Sequence, residues 1–391
     1  VPVNTVERRF HRFIIPIISH VLVTRVFKRG IPLFYINRIS GVSPVAKKQL
    51  FERYSLDSLE QGNVVDPKGN IFASPRKFFD LSNVDFLLAS IDTIRQNYKG
   101  TVKTRYLEIF EQAIEEKNSI IGGAGYLQGK EWHFARMPKS SGYMYKLQNN
   151  EIGVVVLCKS YYADADQSHN HLKIELSPKN IAERGTKQIQ QQLDMIAQTL
   201  LDSPLPCGVA IHLALDVQGW ELPEDFVERF TTRARTVMQY DGFKNVSIDD
   251  LSTVSASYGK KETITFGKAT ALQISIYDKT KEIIHSDKQD FFFDRWCFHD
   301  TSKPVYRIEA RFHQRVIREC GLYQNETFEA FQDVEPYLTD LWRYALDSNY
   351  LRLSKGDFID PYWQKFQEDA VFLHPSSGLF FRRMKKQSQG N

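Results

Sequence analysis

Apolar positions change their period near residue 120. Over residues 81–118, Phe86, Leu87, Ile91 and Ile94 recur at helical spacing, which predicts helix. The run Ile120-Ile121-Gly122-Gly123-Ala124-Gly125 breaks that spacing and marks a boundary. Beyond it the period falls to two. Strands are predicted at Ile152–Lys159, His171–Leu176, Val209–Val217, Thr263–Phe266, Leu272–Asp278 and Val305–His313. Two helices are predicted between them, Ile181–Leu201 behind Ser177-Pro178 and Glu224–Gln239 behind Pro223. In each the proline sits near an N-terminus, where its missing N–H costs little. Glu326–Leu346 places Leu338, Leu341, Trp342, Ala345 and Leu346 on one helical face. The expected fold is α+β. An antiparallel-rich sheet with packed helices occupies residues 126–320. A basic, helical extension precedes it over 1–125, and a helical segment with a basic tail follows over 321–391.

Composition narrows the class. With 391 residues, 42% hydrophobic and 25% charged, the chain can bury a core, and wholesale disorder is excluded. No apolar run reaches the ~18 residues of a membrane span. Phe13–Val23 is interrupted by Pro16 and His20, and no small-residue cleavage site follows it, so a signal peptide is not expected. Cys158, Cys207, Cys297 and Cys320 form no CxxC pair, which argues against a disulfide scaffold or zinc ribbon and fits a reducing cytoplasm. The net charge of +4 is modest but unevenly spread. Residues 1–50 hold a series of arginines and lysines against the single acid Glu7, and the chain closes on Arg382-Arg383-Met384-Lys385-Lys386. Basic ends of this kind approach phosphate backbones or stay as solvated tails.

Sorting each strand into its two faces exposes the candidate chemistry. In Val209–Asp216, Val209, Ile211, Leu213 and Leu215 form the apolar face, while His212 and Asp216 point the other way. Leu272, Ile274 and Ile276 oppose Gln273, Ser275, Tyr277 and Lys279. In the next strand Arg307, Glu309, Arg311 and His313 share the polar face, and His171, Lys173 and Glu175 do so in the earlier one. One such strand is the ordinary edge of a half-exposed sheet. Together they supply what phosphodiester cleavage requires. Carboxylates hold a hard divalent ion, guanidinium groups stabilise charge on phosphoryl oxygens, and a phenol serves as covalent nucleophile.

The residues Thr265-Phe266-Gly267, Ile274-Ser275-Ile276-Tyr277-Asp278-Lys279, Glu282 and Tyr306-Arg307-Ile308-Glu309-Ala310-Arg311 carry a resemblance to the Rep_trans family. That family comprises rolling-circle replication initiators of plasmids and filamentous phages, and related conjugative relaxases. The resemblance spans roughly residues 130–320, and the phage branch is the nearest. It implies a nicking and strand-transfer enzyme that forms a 5′-phosphotyrosine link at an origin, with Tyr277 as nucleophile and Lys279 and Arg307 at the scissile phosphate. Asp216 and Glu309, with Glu175 as a third carboxylate, would hold Mg²⁺ or Mn²⁺. Arg311, His313, Lys268, Arg382 and Arg383 would contact DNA. The implied partners are single-stranded or cruciform origin DNA, host helicase and polymerase, and a second copy in a homodimer, with no membrane involved. The strand carrying Asp216 departs from the family in offering His212 where an arginine or other polar residue is usual.

Other features compete. His169-Asn170-His171 looks like the histidine pair of a different rolling-circle nuclease class, but Asn170 replaces the bulky apolar residue needed between the two. Asp164 and Asp166 lack the glycine and late glutamate of an EF-hand loop. Tyr161, Tyr162 and Tyr258 are alternative nucleophiles, and Phe291-Phe292-Phe293 with Trp296 is either a base-stacking platform or a satellite core. Gly122–Gly125 is not followed by Gly-Lys-Ser/Thr and is no phosphate loop. Two other functions fit the same residues: a relaxase nicking a transfer origin, and a non-catalytic DNA-binding regulator.

Overall fold

The structure, a computed structural model, describes residues 48–55, 68–122, 130–232, 234, 237–241, 244–248, 263–286, 288–297, 299–354, 358–379 and 381. Arg382, Arg383 and Tyr258, and nearly all of the basic first 50 residues, lie outside them. The described chain divides into two units. The smaller begins with β1 (Glu52–Tyr54), β2 (Ile71–Ser74) and β3 (Lys77–Asp80), an antiparallel three-stranded sheet.

The larger unit opens on β4 (Asp85–Val102) and α1 (Thr104–Glu115). Strand thus replaces the expected helix over Asp85–Val102, while Thr104–Glu115 is helical as expected, and the large unit begins well before the expected boundary at 126. The chain continues through β5 (Ile120–Gly122), β6 (Glu131–Arg136), β7 (Tyr143–Asn149), β8 (Val154–Ser160) and β9 (His169–Leu176). Helices α2 (Pro178–Glu183) and α3 (Thr186–Leu200) follow, the first capped by Ser177 with Pro178 in its first turn.

A second long strand, β10 (Leu201–Gln218), then leads to the short α4 (Phe226–Arg229) and β11 (Phe230–Thr231). After these come β12 (Val237–Asp241), β13 (Lys244–Ile248), β14 (Thr263–Phe266) and β15 (Leu272–Asp278). The helix expected over Glu224–Gln239 is therefore one turn, because the chain beyond it pairs with β14. Helices α5 (Lys279–His285) and α6 (Gln289–Arg295) precede β16 (Val305–Phe312). Four more follow in this order: α7 (Gln314–Tyr323), α8 (Phe331–Val334), α9 (Leu338–Ser348) and, after β17 (Tyr350–Leu351), α10 (Pro361–Asp369). The smaller unit is completed by the β11–β17 pair and α10. There Arg53 is buried and bridges Asp369 and Glu368.

The large sheet has twelve strands in the order β13-β12-β14-β15-β16-β10-β4-β9-β8-β7-β6-β5. Two halves of six strands meet at β10 and β4. Each half opens on an 18-residue strand and returns its last strand, β9 or β16, to lie beside that opening strand. This α+β architecture leaves the two sheet faces unlike each other. Val209, Ile211, Leu213 and Leu215 are buried, with α3 and α7 packed on β10. The opposite face carries the ionisable side chains.

Candidate functional site

Antiparallel register sets the polar residues of β15, β16 and β10 in rows. Tyr277, Arg307 and Asp216 lie side by side, then Ser275, Glu309 and Ala214, then Gln273, Arg311 and His212. The side chains bearing the predicted chemistry therefore share one face of one sheet. Charge alternates down β16, so each group finds an opposite neighbour along or across the strands. Ser275 and Ala214 are small, which leaves the space around Glu309 to Tyr277, His212 and Asp92 of β4.

Asp216 is buried and committed. Arg307 donates to it through Nε at 2.6 Å and Nη2 at 2.8 Å, and Trp296 Nε1 donates at 2.8 Å. Arg307 also donates through Nη1 to Asp92 at 2.7 Å and lies 4.9 Å over the Phe292 ring. Burial acts most strongly and would lower the Arg307 pKa, but the charges of Asp216, Tyr277 and Asp92 with the Asp216 hydrogen bonds together outweigh it and hold the group well above its ordinary value. Lys279 is buried, ion-paired with Glu282 and 4.2 Å over the same ring. Its pKa is lowered by burial first and by the Arg307 charge second.

Glu309 is the hub. Arg311 donates to it at 2.9 and 2.8 Å, His212 Nδ1 lies 3.1 Å away, and the Tyr277 hydroxyl donates at 3.5 Å, a long contact. Burial would raise its pKa, but the Arg311 charge and the His212 contact dominate and hold it far below the carboxylate range. The Tyr277 phenol moves the other way, well above 10.0, through burial and then the Glu309 charge.

Ligand atoms of Asp92, His212 and Glu309 lie within 4.8 Å of one another. Two carboxylates and an imidazole suit Mn²⁺, and Mg²⁺ less well, since imidazole is a softer donor than oxygen. Of the three carboxylates expected to hold an ion, one belongs to this group. That one is Glu309, whereas Asp216 is ion-paired with Arg307 and Glu175 pairs with Arg95 at 2.6 Å outside this group. Asp92 was missed because its segment reads as helix, although Ile91, Thr93, Ile94 and Tyr98 around it are residue types enriched in strands.

Arg311 and His313 line a cleft next to Glu309, whereas Lys268 is exposed on the β14–β15 turn. The competing histidine is structural. His171 is buried, accepts from the Ser160 backbone N–H through Nδ1 at 3.1 Å, and has Nε2 at 3.0 Å from two backbone carbonyls. Tyr161 donates to the Met137 carbonyl at 2.6 Å. Phe292 and Trp296 belong to a buried cluster with Ile283 and Val305, so the satellite-core reading holds for them.

No family model matches the chain. Over 324 residues, 78% of this chain and 73% of the other, it is 33% identical to the uncharacterized protein ORF430 of Pseudomonas phage Pf1. The chain belongs to the ORF430 family. Among the described residues no helix is long and apolar enough to cross a membrane.

Proposed function

We propose that this ORF430-family chain is a rolling-circle replication initiator that nicks and transfers a DNA strand through Tyr277. The observation that carries this reading is the Tyr277 hydroxyl beside Glu309, on a sheet face that also presents Arg307, Arg311 and the Asp92–His212–Glu309 donors. A phage relative and the Rep_trans-like residues around Tyr277 and Glu309 support the same reading.

Tyr277 Oη attacks phosphorus and forms a 5′-phosphotyrosine. The P–O3′ bond breaks, and the 3′-oxygen leaves as a hydroxyl, taking up a proton that balances the one lost by the phenol. Arg311, held in plane by Glu309, is placed to meet charge growing on a phosphoryl oxygen. Arg307 acts beneath it. Its side chain ties Asp216, Asp92 and Phe292 together, so it positions Asp92. Asp92, His212 and Glu309 would hold a divalent ion, which when bound would supply Lewis-acid polarisation and a field favouring the phenolate. The host polymerase and helicase would use the freed 3′-hydroxyl.

The test is incubation of the full chain, with Mn²⁺ or Mg²⁺, with labelled single-stranded oligonucleotides tiling the genome that encodes it. A denaturing gel should show one nicked oligonucleotide and a protein-linked product. Intact DNA throughout would favour the non-catalytic regulator.

The metal assignment has its own test. Mn²⁺ titration, read by water proton relaxation, should show affinity at least about tenfold weaker for Asp92→Asn and for His212→Ala. Glu175→Gln should match wild type. Equal affinity in all four proteins would remove the site from this face.

A further inference from the structure

Where the two half-sheets meet, a cleft of about 390 Å³ opens beside the Tyr277–Glu309 group. It shares His212 and Arg311 with that group and extends over β4 and β9 to Arg95, Asn97, Lys173 and Tyr143. Its size falls within the roughly 300–1,000 Å³ of small-molecule sites. Three observations bear on its occupant. First, charge is left over. Arg95 is matched by Glu175 and Arg311 by Glu309, but no ion pair or hydrogen bond holds Lys173 among the described residues. Second, Asn97 is 8% exposed, and its Oδ1 has no hydrogen-bond partner among those residues, while its Nδ2 is taken by Gln314. A buried acceptor of this kind is ordinarily satisfied, by a water or by a ligand that enters the site. Third, His313 Nδ1 accepts from the Arg315 backbone N–H at 3.3 Å, so in the neutral ring Nε2 carries the proton and is a donor.

We propose that this cleft seats one nucleotide of single-stranded DNA adjoining the one that is cut, with its phosphate on Lys173 and His313 and its base against Asn97 and Tyr143. The proposal rests on the nicking reading for what happens next door, and gives that site its direction. The strand crosses from the half-sheet bearing Tyr277 to the half-sheet bearing Lys173, over β10 and β4. One unmatched positive charge suits one phosphate. An amide acceptor and a phenol ring suit a base that offers an N–H and a π-face. Burial, and then the Arg95 charge, lowers the Lys173 pKa against the opposing Glu175 charge.

Binding measured in EDTA separates this proposal from catalysis. The probe is a fluorescein-labelled, random-sequence 20-nucleotide single strand, followed by anisotropy across a salt series. Lys173→Gln breaks no ion pair, so the fold should survive, as an unchanged melting temperature would show. Its affinity should fall about tenfold, and its log–log salt slope should shrink by about 0.7, the value for one phosphate on a single strand. Lys130→Gln, which removes an exposed lysine outside the cleft, should match wild type. A second measurement needs no variant. A 20-mer of 5-iododeoxyuridine, photo-crosslinked to the wild-type protein, should label Tyr143. Wild-type affinity and slope in Lys173→Gln, or crosslinks confined to other segments, would overturn the proposal even if the protein nicks DNA. Weakened binding without any adduct from the intact protein would uphold the cleft and sink the nicking reading.

Discussion

Tyr277→Phe is expected to abolish the covalent protein–DNA adduct while leaving the fold and single-strand binding unchanged. The substitution removes one oxygen, whose one hydrogen bond among the described residues is the long one to Glu309, so packing of the ring on β15 is kept. Without that oxygen nothing remains to attack phosphorus. The pH dependence follows from the same environment. Burial and the Glu309 charge raise the phenol pKa, so the phenolate is scarce at neutral pH and gains about tenfold per pH unit below that pKa. Adduct formation by the wild-type protein should therefore rise across roughly pH 6–9 where chemistry limits the rate. Denaturing gels of the nicked oligonucleotide measure both effects. Adduct at wild-type level from Tyr277→Phe would move the nucleophile to another tyrosine, and a flat or falling pH profile would mean that the phenol's ionisation does not limit the reaction.

What could be read from the sequence depended on whether a strand had one face covered or two. β14 and β15 coincide with their predicted bounds, since Leu272, Ile274 and Ile276 alternate cleanly with Gln273, Ser275 and Tyr277. That alternation placed Tyr277, Glu309, Arg311 and Asp216 on one face. β4 lies between β10 and β9, and its apolar residues bunch at Phe86–Leu88, where Leu87 and Leu88 pack against the Phe292–Trp296 cluster. A central strand covered on both faces loses the period of two, so the segment reads as helix and Asp92 goes unseen. Partner choice was also hidden. Alternation says that Asp216 and Glu309 point the same way, but only the register Asp216↔Arg307 and Ala214↔Glu309 decides which carboxylate a guanidinium consumes. Pro223 correctly announces a turn of helix, but pairing of Val237–Gln239 with β14 overrides the helical pattern beyond it.

The same buried pair sets the largest expected effect on stability. In Arg307→Met the side chain keeps much of its length but loses its charge, so Asp216, with no exposed surface, keeps the Trp296 indole and loses its counter-ion. Removing one partner of a buried ion pair costs about 3–5 kcal/mol, because the remaining charge stays out of water. Asp92 loses its guanidinium as well, but it is partly exposed and water can replace the contact. Asp216→Asn should cost less than Arg307→Met, since the amide oxygen still accepts one guanidinium donor while the carboxylate's second strong contact is lost. The double variant Arg307→Met/Asp216→Leu puts apolar groups on both sides and should recover most of the loss, as buried pairs exchanged for packed hydrophobic side chains commonly do. Urea midpoints of the four proteins measure this series. Nicking should stay low in the double variant, because a recovered fold still lacks the group that positions Asp92. A loss below about 1 kcal/mol in Arg307→Met would place the pair among solvent-screened ion pairs, and full nicking by the double variant would remove Arg307 from the site.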